Sequence, residues 1–321
     1  MGDIGKTMSK ILVFGGTGYL GQYVVKASIL AGHQTYVYVR PTKSGDLVKL
    51  QLLEKFQAMG VTIFQGELDE HQKLVKVLRH VDTVIVTLGV PQYMEQLKII
   101  EAMKEAGNIK RFVPSEFGNE VDRGSPLPPF EAIAEKKRKI RRAAEKSGIP
   151  YTFVSSNSMG AYFVNFFLHP YDGKNNKVTV YGTGETKFAF TYEKDVAGYT
   201  VEVATDPRTE NGLVICRLPK NVISQLDLIS CWEKKARRTM EKTYISEEEI
   251  IKLSQSPSEQ DAVTYGILHS IFVKGEQTNY EMTEDDLDVV KLYPEYKYTT
   301  VDEVLDIFMV DPPKPVIASF A

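Results

Sequence analysis

Short apolar runs alternate with longer amphipathic stretches through the first half of the chain. The runs predict buried strands, and stretches with apolar residues every three or four positions predict helices. The expected strands are 11–14, 35–40, 61–64, 82–88, 110–113 and 150–157, and the expected helices are 22–31, 47–59, 71–80, 96–106 and 130–146. This order predicts an α/β fold, a Rossmann-type doubly wound parallel sheet with helices on both faces.

The pattern changes after Asn157. Residues 162–168 are dense in aromatic side chains, and 177–192 predicts two strands joined by a turn at 182–184. A helix is expected over 193–204, and further helices and short segments follow without an internal repeat. We therefore expect a nucleotide-binding Rossmann domain at 1–157. A smaller C-terminal α/β domain at 158–321 would bind substrate, with some of its segments packing back on the first domain.

The first predicted strand runs into a glycine-rich turn, Gly15-Gly-Thr-Gly-Tyr-Leu-Gly21. Glycines at positions 15, 18 and 21 allow a tight turn, close approach of the backbone to a pyrophosphate, and close packing of helix on strand. The anion would lie on free N–H groups at the start of the following helix. The turn supplies these candidate cofactor contacts: Gly15, Thr17, Gly18, Tyr19, Leu20 and Gly21.

The end of the second predicted strand indicates which dinucleotide binds. Arg40 lies 19 positions after Gly21, where an NAD-binding chain carries an acidic residue for the ribose 2′-hydroxyl. A guanidinium instead suits a 2′-phosphate, so we expect the cofactor to be NADPH. A solvated arginine at a strand end is the alternative.

Loops after the later strands should also face the cofactor, because ligands bind beyond the carboxyl ends of parallel strands. The loop after the fourth predicted strand contains 89–93, and Pro114 ends the fifth strand just before Ser115. The further candidates for cofactor contact are Lys49, Gln92, Ser115, Glu116, Phe117, Lys137 and Asn157.

Lys137 is the candidate for proton transfer. On the helix predicted at 130–146 it shares one face with Phe130, Ile133, Ile140 and Ala144, whereas the other cations of the 136–142 run are expected to be solvated. A desolvated lysine can act as a base near neutral pH, although a lysine at this place could also extend its amine out to water. The Tyr-x-x-x-Lys match at 293–297 lies outside the nucleotide domain and contains Pro294, so it is interpreted as chance.

The composition of the chain limits the kinds of binding partner that we expect. The net charge of −3 gives no electrostatic case for nucleic acid or for an anionic membrane, and no apolar run is long enough to span a bilayer. Two cysteines and five scattered histidines indicate neither a disulfide framework nor a metal site. The polar N-terminus lacks the apolar core of a signal peptide, so a cytoplasmic location is expected.

These features together resemble the plant isoflavone-reductase-like reductases, an atypical short-chain dehydrogenase family that includes phenylcoumaran benzylic ether reductases, pinoresinol-lariciresinol reductases, and eugenol and isoeugenol synthases. The resemblance rests on the glycine turn, Arg40, the Lys137 helix and Arg111-Phe-Val-Pro-Ser-Glu-Phe-Gly118. It covers nearly the whole chain, and 108–123 and 181–185 are most similar to the phenylpropene synthases.

The resemblance implies NADPH as cofactor, Lys137 as catalytic base and a coniferyl ester such as coniferyl acetate as substrate. It implies loss of acetate to a quinone methide and reduction to a phenylpropene. The protein is expected to be a monomer or a homodimer. The implied substrate contacts are Val90, Tyr93, Asn157, Met159, Tyr162 and Phe163.

The position of hydride attack decides between eugenol and isoeugenol. Eugenol is the expected product, although 90–93 is more similar to the isoeugenol-forming pattern. The alternatives are an isoeugenol synthase, a benzylic ether reductase and a non-catalytic NADP(H)-binding regulator, because fold alone does not fix function.

Overall fold

The computed structural model describes residues 8–42, 45–171 and 175–316. Its strands are β1 Lys10–Phe14, β2 Gln34–Val39, β3 Thr62–Gln65, β4 Thr83–Val86, β5 Arg111–Val113, β6 Thr152–Ser155, β7 Ser158–Met159, β8 Lys177–Tyr181, β9 Lys187–Thr191, β10 Gly212–Ile215, β11 Val222–Ser224, β12 Glu241–Ile245 and β13 Asp286–Asp288. Its α-helices are α1 Tyr19–Leu30, α2 Leu47–Ala58, α3 His71–Leu78, α4 Gln96–Ala106, α5 Pro128–Lys146, α6 Gly160–Leu168, α7 Glu193–Thr205, α8 Gln225–Ala236, α9 Glu247–Leu253, α10 Glu259–Phe272, α11 Val289–Leu292 and α12 Val301–Val310. Short 3₁₀ turns occupy Val90–Glu95, Pro207–Thr209 and Pro219–Asn221.

The chain forms two units, and it passes between them more than once. The first unit contains the chain up to Glu116 together with Lys137–Val154 and Ala197–Val214. The second contains Phe117–Lys136, Ser155–Val196 and the chain from Ile215 onward. The sequence suggests a single boundary after residue 157, whereas these units exchange chain at several positions.

A five-stranded parallel sheet forms the centre of the first unit, in the order β3-β2-β1-β4-β5. The chain moves outward from β1 through β2 to β3, and then returns to the other side of β1 for β4 and β5. The strand order therefore reverses between β1 and β4, and ligands of open α/β sheets bind beside such a reversal.

Both faces of this sheet are covered, which explains the continuous apolar run of β1. Leu12 and Phe14 pack with residues of α3, α4 and α5, including Leu74, Ile99 and Ile140. Successive side chains of a strand point to opposite faces, so Ile11 and Val13 face the other side, where α1 packs on β1 and β2. The doubly wound arrangement expected from the sequence is confirmed.

The sixth predicted strand is present but does not extend the central sheet as a full member. Phe112 of β5 forms one isolated parallel bridge with Tyr151, and its N–H donates to Pro150 O at 2.8 Å. Proline cannot donate in return, which limits the ladder at this point. β6 instead has β10 as its hydrogen-bonded neighbour.

The second unit contains two small sheets, and the expected pair of strands at 177–192 is divided between them. β9 lies between β11 and β7, and β8 pairs in parallel with β12. The side chain of Gln225 occupies the free edge of β8, accepting from Tyr181 N at 3.0 Å and donating to Thr179 O at 2.5 Å. The two strands joined by a turn at 182–184 are thus present as predicted, but they pair with β12, β11 and β7 and not with each other.

The aromatic stretch after Asn157 is helix α6, and part of it belongs to the core of the second unit. Its start is fixed by Glu193, whose carboxylate accepts from Ala161 N at 2.9 Å and Tyr162 N at 3.0 Å. The Phe167 and Phe188 rings each lie 5.1 Å from the Phe272 ring. Within the described residues, no helix is both long and apolar enough to cross a membrane.

Candidate cofactor and active site

The glycine turn between β1 and α1 has the geometry that the sequence predicts. Gly15 adopts a φ of +76°, in the left-handed region, and its carbonyl accepts from Gly18 N at 2.8 Å. A Cβ on Gly21 would lie 2.1 Å from Gly15 O, so no larger residue fits without moving the turn. Gly18 is the N-cap residue of α1 and offers no side chain to its first N–H groups. Those N–H groups fit the pyrophosphate of a dinucleotide.

The candidates for the 2′-phosphate lie together at the end of β2. Arg40 is exposed just after the strand, and its carbonyl accepts from Lys49 Nζ at 2.9 Å. Neither side chain forms an ion pair with any residue that the structure describes. These two cationic residues fit the dianionic 2′-phosphate of NADPH.

The turn after β4 is tied to the loop after β5 by Gln96, a residue that the sequence analysis did not select. Gln96 is fully buried, donates to Tyr93 O at 3.2 Å and accepts from Ser115 N at 2.8 Å. Ser115 in turn donates from its hydroxyl to Leu88 O at 2.8 Å. Val90 and Tyr93 are buried in the same turn. A polar residue at the start of an amphipathic helix was the only signal for Gln96.

Lys137 is buried, as its position on the apolar face of the helix predicts. Its side chain is 6% exposed, and Nζ donates to Glu116 O at 2.9 Å. The same nitrogen lies 5.4 Å from the centroid of the Tyr93 ring. One hydrogen bond leaves further hydrogen-bonding capacity on an amine nitrogen, so Lys137 can also contact a ligand hydroxyl.

The side chain of Glu116 forms a buried ion pair. Its carboxylate is packed against Arg141, with Arg141 Nε 2.6 Å from Oε1. Arg141 differs from expectation, because it belongs to the basic run that was expected to be solvated and is only 2% exposed. It lies four residues after Lys137, on the same face of α5. Contact of a cofactor with the backbone at Glu116 stays a prediction.

The remaining candidates, namely Phe117, Asn157, Met159, Tyr162 and Phe163, belong to the second unit. Asn157 has a φ of +60°, unusual for a residue with a side chain, and is 3% exposed. Its N–H donates to Gly118 O at 2.9 Å and its Nδ2 to Cys216 O at 2.9 Å. Asn157 therefore fixes two loop ends of the second unit.

The two aromatic candidates on α6 differ in their surroundings. The Tyr162 ring is half-buried and stacks on Phe166, with centroids 6.4 Å apart. Phe163 is packed in the aromatic core, 5.6 Å from the Phe167 ring and 5.8 Å from the Phe272 ring. Phe163 therefore contributes to the core of the second unit, and its contact with substrate stays a prediction. Tyr162 and Met159 remain candidates for substrate contact.

Other chemistries find little support among the described residues. No cluster of three or more histidine, cysteine or acidic side chains there could hold a metal ion. Cys216 and Cys231 are free cysteines, and burial raises the pKa of the Cys216 thiol to about 12, which leaves it a poor nucleophile. The Tyr-x-x-x-Lys match at 293–297 lies outside any helix.

These features define a dinucleotide-binding α/β protein of the Rossmann type: the parallel sheet, the glycine turn, and the neighbouring cationic residues Arg40 and Lys49. A model of the NmrA-like family matches residues 7–305. The chain belongs to the NmrA-like family.

Curated relatives match over almost the full length. The chain is 58% identical to isoeugenol synthase 1 of Petunia hybrida, over 97% of each chain. It is 51% identical to isoeugenol synthase 1 of Clarkia breweri, over 98% of this chain and 100% of that one. Eugenol synthase 2 of Clarkia breweri is 45% identical over 94% of this chain and 99% of its own.

Solved structures show the same fold. A structure from work on pinoresinol-lariciresinol and phenylcoumaran benzylic ether reductases is 39% identical, with a TM-score of 0.88 over 94% of this chain and 99% of that one. A binary complex of leucoanthocyanidin reductase with NADPH from Vitis vinifera is 32% identical, with a TM-score of 0.85 over the same shares. Both confirm the fold class and the isoflavone-reductase-like resemblance.

Proposed function

We propose that this protein is an NADPH-dependent phenylpropene synthase that reduces a coniferyl ester, such as coniferyl acetate. The observation that supports this proposal most directly is the buried amine of Lys137. It is held at Glu116 O and next to the Tyr93 ring in the dinucleotide-binding unit. Two isoeugenol synthases and a eugenol synthase among the relatives support the substrate class.

Lys137 accepts and later returns one proton in this reaction. Its amine accepts the proton of the para-hydroxyl of the substrate, and the resulting phenolate expels acetate to give a quinone methide. NADPH supplies the hydride that reduces this quinone methide. Lys137 then returns its proton to the phenolate oxygen of the product, so that acetate and NADP⁺ are the other products.

Tyr93 and Val90 would contact the substrate ring from the turn after β4. The gradient of identity, 58% and 51% to isoeugenol synthases against 45% to a eugenol synthase, favours isoeugenol as the product. Eugenol, the product expected from the sequence, requires attack at the benzylic carbon instead of the terminal carbon.

Incubation of the purified protein with NADPH and coniferyl acetate, followed by chromatography and mass spectrometry, tests the function. We expect a phenylpropene, one equivalent of acetate and one of NADP⁺. Lys137→Ala should bind NADPH and form little product. A protein that yields no phenylpropene but reduces a phenylcoumaran would be a benzylic ether reductase, and one that binds NADPH and reduces neither would support the regulator.

A further inference from the structure

A buried ion pair lies one helical turn after Lys137 on α5. Arg141 Nε donates to the two carboxylate oxygens of Glu116 at 2.6 and 2.8 Å, and Arg141 Nη2 donates at 2.7 Å. The two side chains are 3% and 2% exposed, and the Arg141 guanidinium also lies 5.0 Å from the Phe153 ring.

Stability alone does not account for such a pair. Removing two charges from water has a large desolvation penalty, and apolar residues of similar size often stabilise a fold at least as well. A buried ion pair is better suited to fixing one arrangement among several, because its hydrogen bonds have defined directions. Such a pair is therefore expected to hold a particular group of the site in place.

The group is the backbone carbonyl of Glu116. The Glu116 carboxylate is fixed by Arg141, and the Glu116 carbonyl oxygen accepts from Lys137 Nζ at 2.9 Å. Residue 116 is thus held to α5 at two positions one turn apart. The preceding peptide is held as well, because Ser115 N donates to the buried Gln96.

We propose that Arg141 and Glu116 are positioning residues for Lys137, whose ion pair sets the Glu116 carbonyl and thereby keeps the Lys137 amine beside the Tyr93 ring. The inference rests on the proposed function, in which Lys137 transfers the proton. The pair itself acts through Lys137.

Steady-state kinetics of Arg141→Met, Glu116→Gln and Arg141→Lys test the pair, with Arg142→Met as the matched control. Arg142 is half-exposed on the same helix and pairs with Glu145 at 2.9 Å. We expect kcat to fall about tenfold to hundredfold in Arg141→Met and Glu116→Gln, because a misplaced group of about 1 Å can cost a factor of that size. The dissociation constant for NADPH should stay near that of the wild type, and Arg141→Lys should recover part of the kcat.

The same substitutions in a Lys137→Ala background separate positioning from general damage. If the pair acts through Lys137, replacing Arg141 should cost little further turnover once the amine is absent. An equal loss of kcat in both backgrounds, or none in either, would overturn the proposal.

A second measurement does not depend on turnover. Acetic anhydride labels lysine amines, and peptide mass spectrometry compares Lys137 with the exposed Lys139 in one sample. We expect the reactivity of Lys137 relative to Lys139 to rise several-fold in Arg141→Met and Glu116→Gln at an unchanged melting temperature, and not in Arg142→Met. An unchanged ratio contradicts the positioning role even if the protein makes no phenylpropene. Absence of a phenylpropene from the wild-type protein contradicts the proposed function instead.

Discussion

At the scale of single residues, helical phase separates Lys137 from its basic neighbours. Lys137 is buried, Lys136 is half-buried and Lys139 is exposed, although all three stand in one run of cations. The same phase applies to Arg141, which lies four residues later and is also buried. Sequence reasoning selected the first and missed the second, because only the loop after β5 brings a carboxylate to that position.

Replacing Lys137 by alanine should remove the proton acceptor and leave the fold. We expect turnover at saturating NADPH to fall about a hundredfold to ten-thousandfold, the range for loss of a general base. Lys136→Ala and Lys139→Ala serve as controls and should keep near-normal turnover. Normal activity in a folded Lys137→Ala variant would place proton transfer elsewhere.

Arg40 should determine the choice of dinucleotide. We expect Arg40→Asp to raise the Michaelis constant for NADPH by an amount equivalent to about 1.5–3 kcal/mol, because a charge-assisted pair is lost and a repulsion is added. The Michaelis constant for NADH should change much less. Lys26→Asp, an exposed change on α1, is the control, and equal effects on both cofactors would show that Arg40 does not contact the 2′-phosphate.

At the scale of elements, the 3₁₀ turn Val90–Glu95 connects the site to the sheet. Its two buried residues, Val90 and Tyr93, project from one short segment, and Gln96 fixes its end to the loop after β5. The sequence located this segment as a loop beyond β4. Its link to Ser115 depends on the Gln96 side chain from the following helix, which periodicity does not reveal.

Changing this turn should change the product. We expect the double substitution Val90→Phe with Tyr93→Ile to alter the ratio of eugenol to isoeugenol, because the two side chains set the tilt of the substrate ring. Gas chromatography of the products measures the ratio, and Glu95→Gln at the end of the same turn is the control. A change in turnover with a constant ratio would mean that product choice is made by other residues.

At the scale of the whole molecule, the loop after β5 is anchored by long-range polar contacts in the second unit. Arg123 donates to both oxygens of Asp286, at 2.8 and 2.6 Å. Burial alone would raise the pKa of Asp286, but hydrogen bonds from Arg123 and Thr283 outweigh it and hold that pKa below its usual value. These residues lie 163 positions apart, so no local sequence pattern indicates the pair.

The Arg123–Asp286 pair should make stability depend on pH in the acid range. A carboxyl with a lowered pKa in the folded state stabilises the protein above the unfolded value of about 3.9, and this stabilisation is lost as pH falls through the folded pKa. We therefore expect Asp286→Asn to lower the melting temperature at pH 7, and the difference from wild type to shrink below about pH 4. Asp285→Asn, an exposed neighbour, is the control for scanning calorimetry, and a difference that persists unchanged at pH 3 would exclude this role.

The sequence by itself determined the parallel sheet, the glycine turn, Arg40 at the end of β2 and the inward phase of Lys137. Each of these depends on local periodicity or on backbone geometry that only glycine allows. A segment of a few residues therefore contains the whole signal that predicts it. The tertiary structure alone decided the edge partner of β8, the burial of Phe163, the Glu116–Arg141 pair and the role of Gln96. These contacts join segments that are distant in sequence, and a side chain such as Gln225 or Arg141 satisfies a buried polar partner that no local pattern identifies.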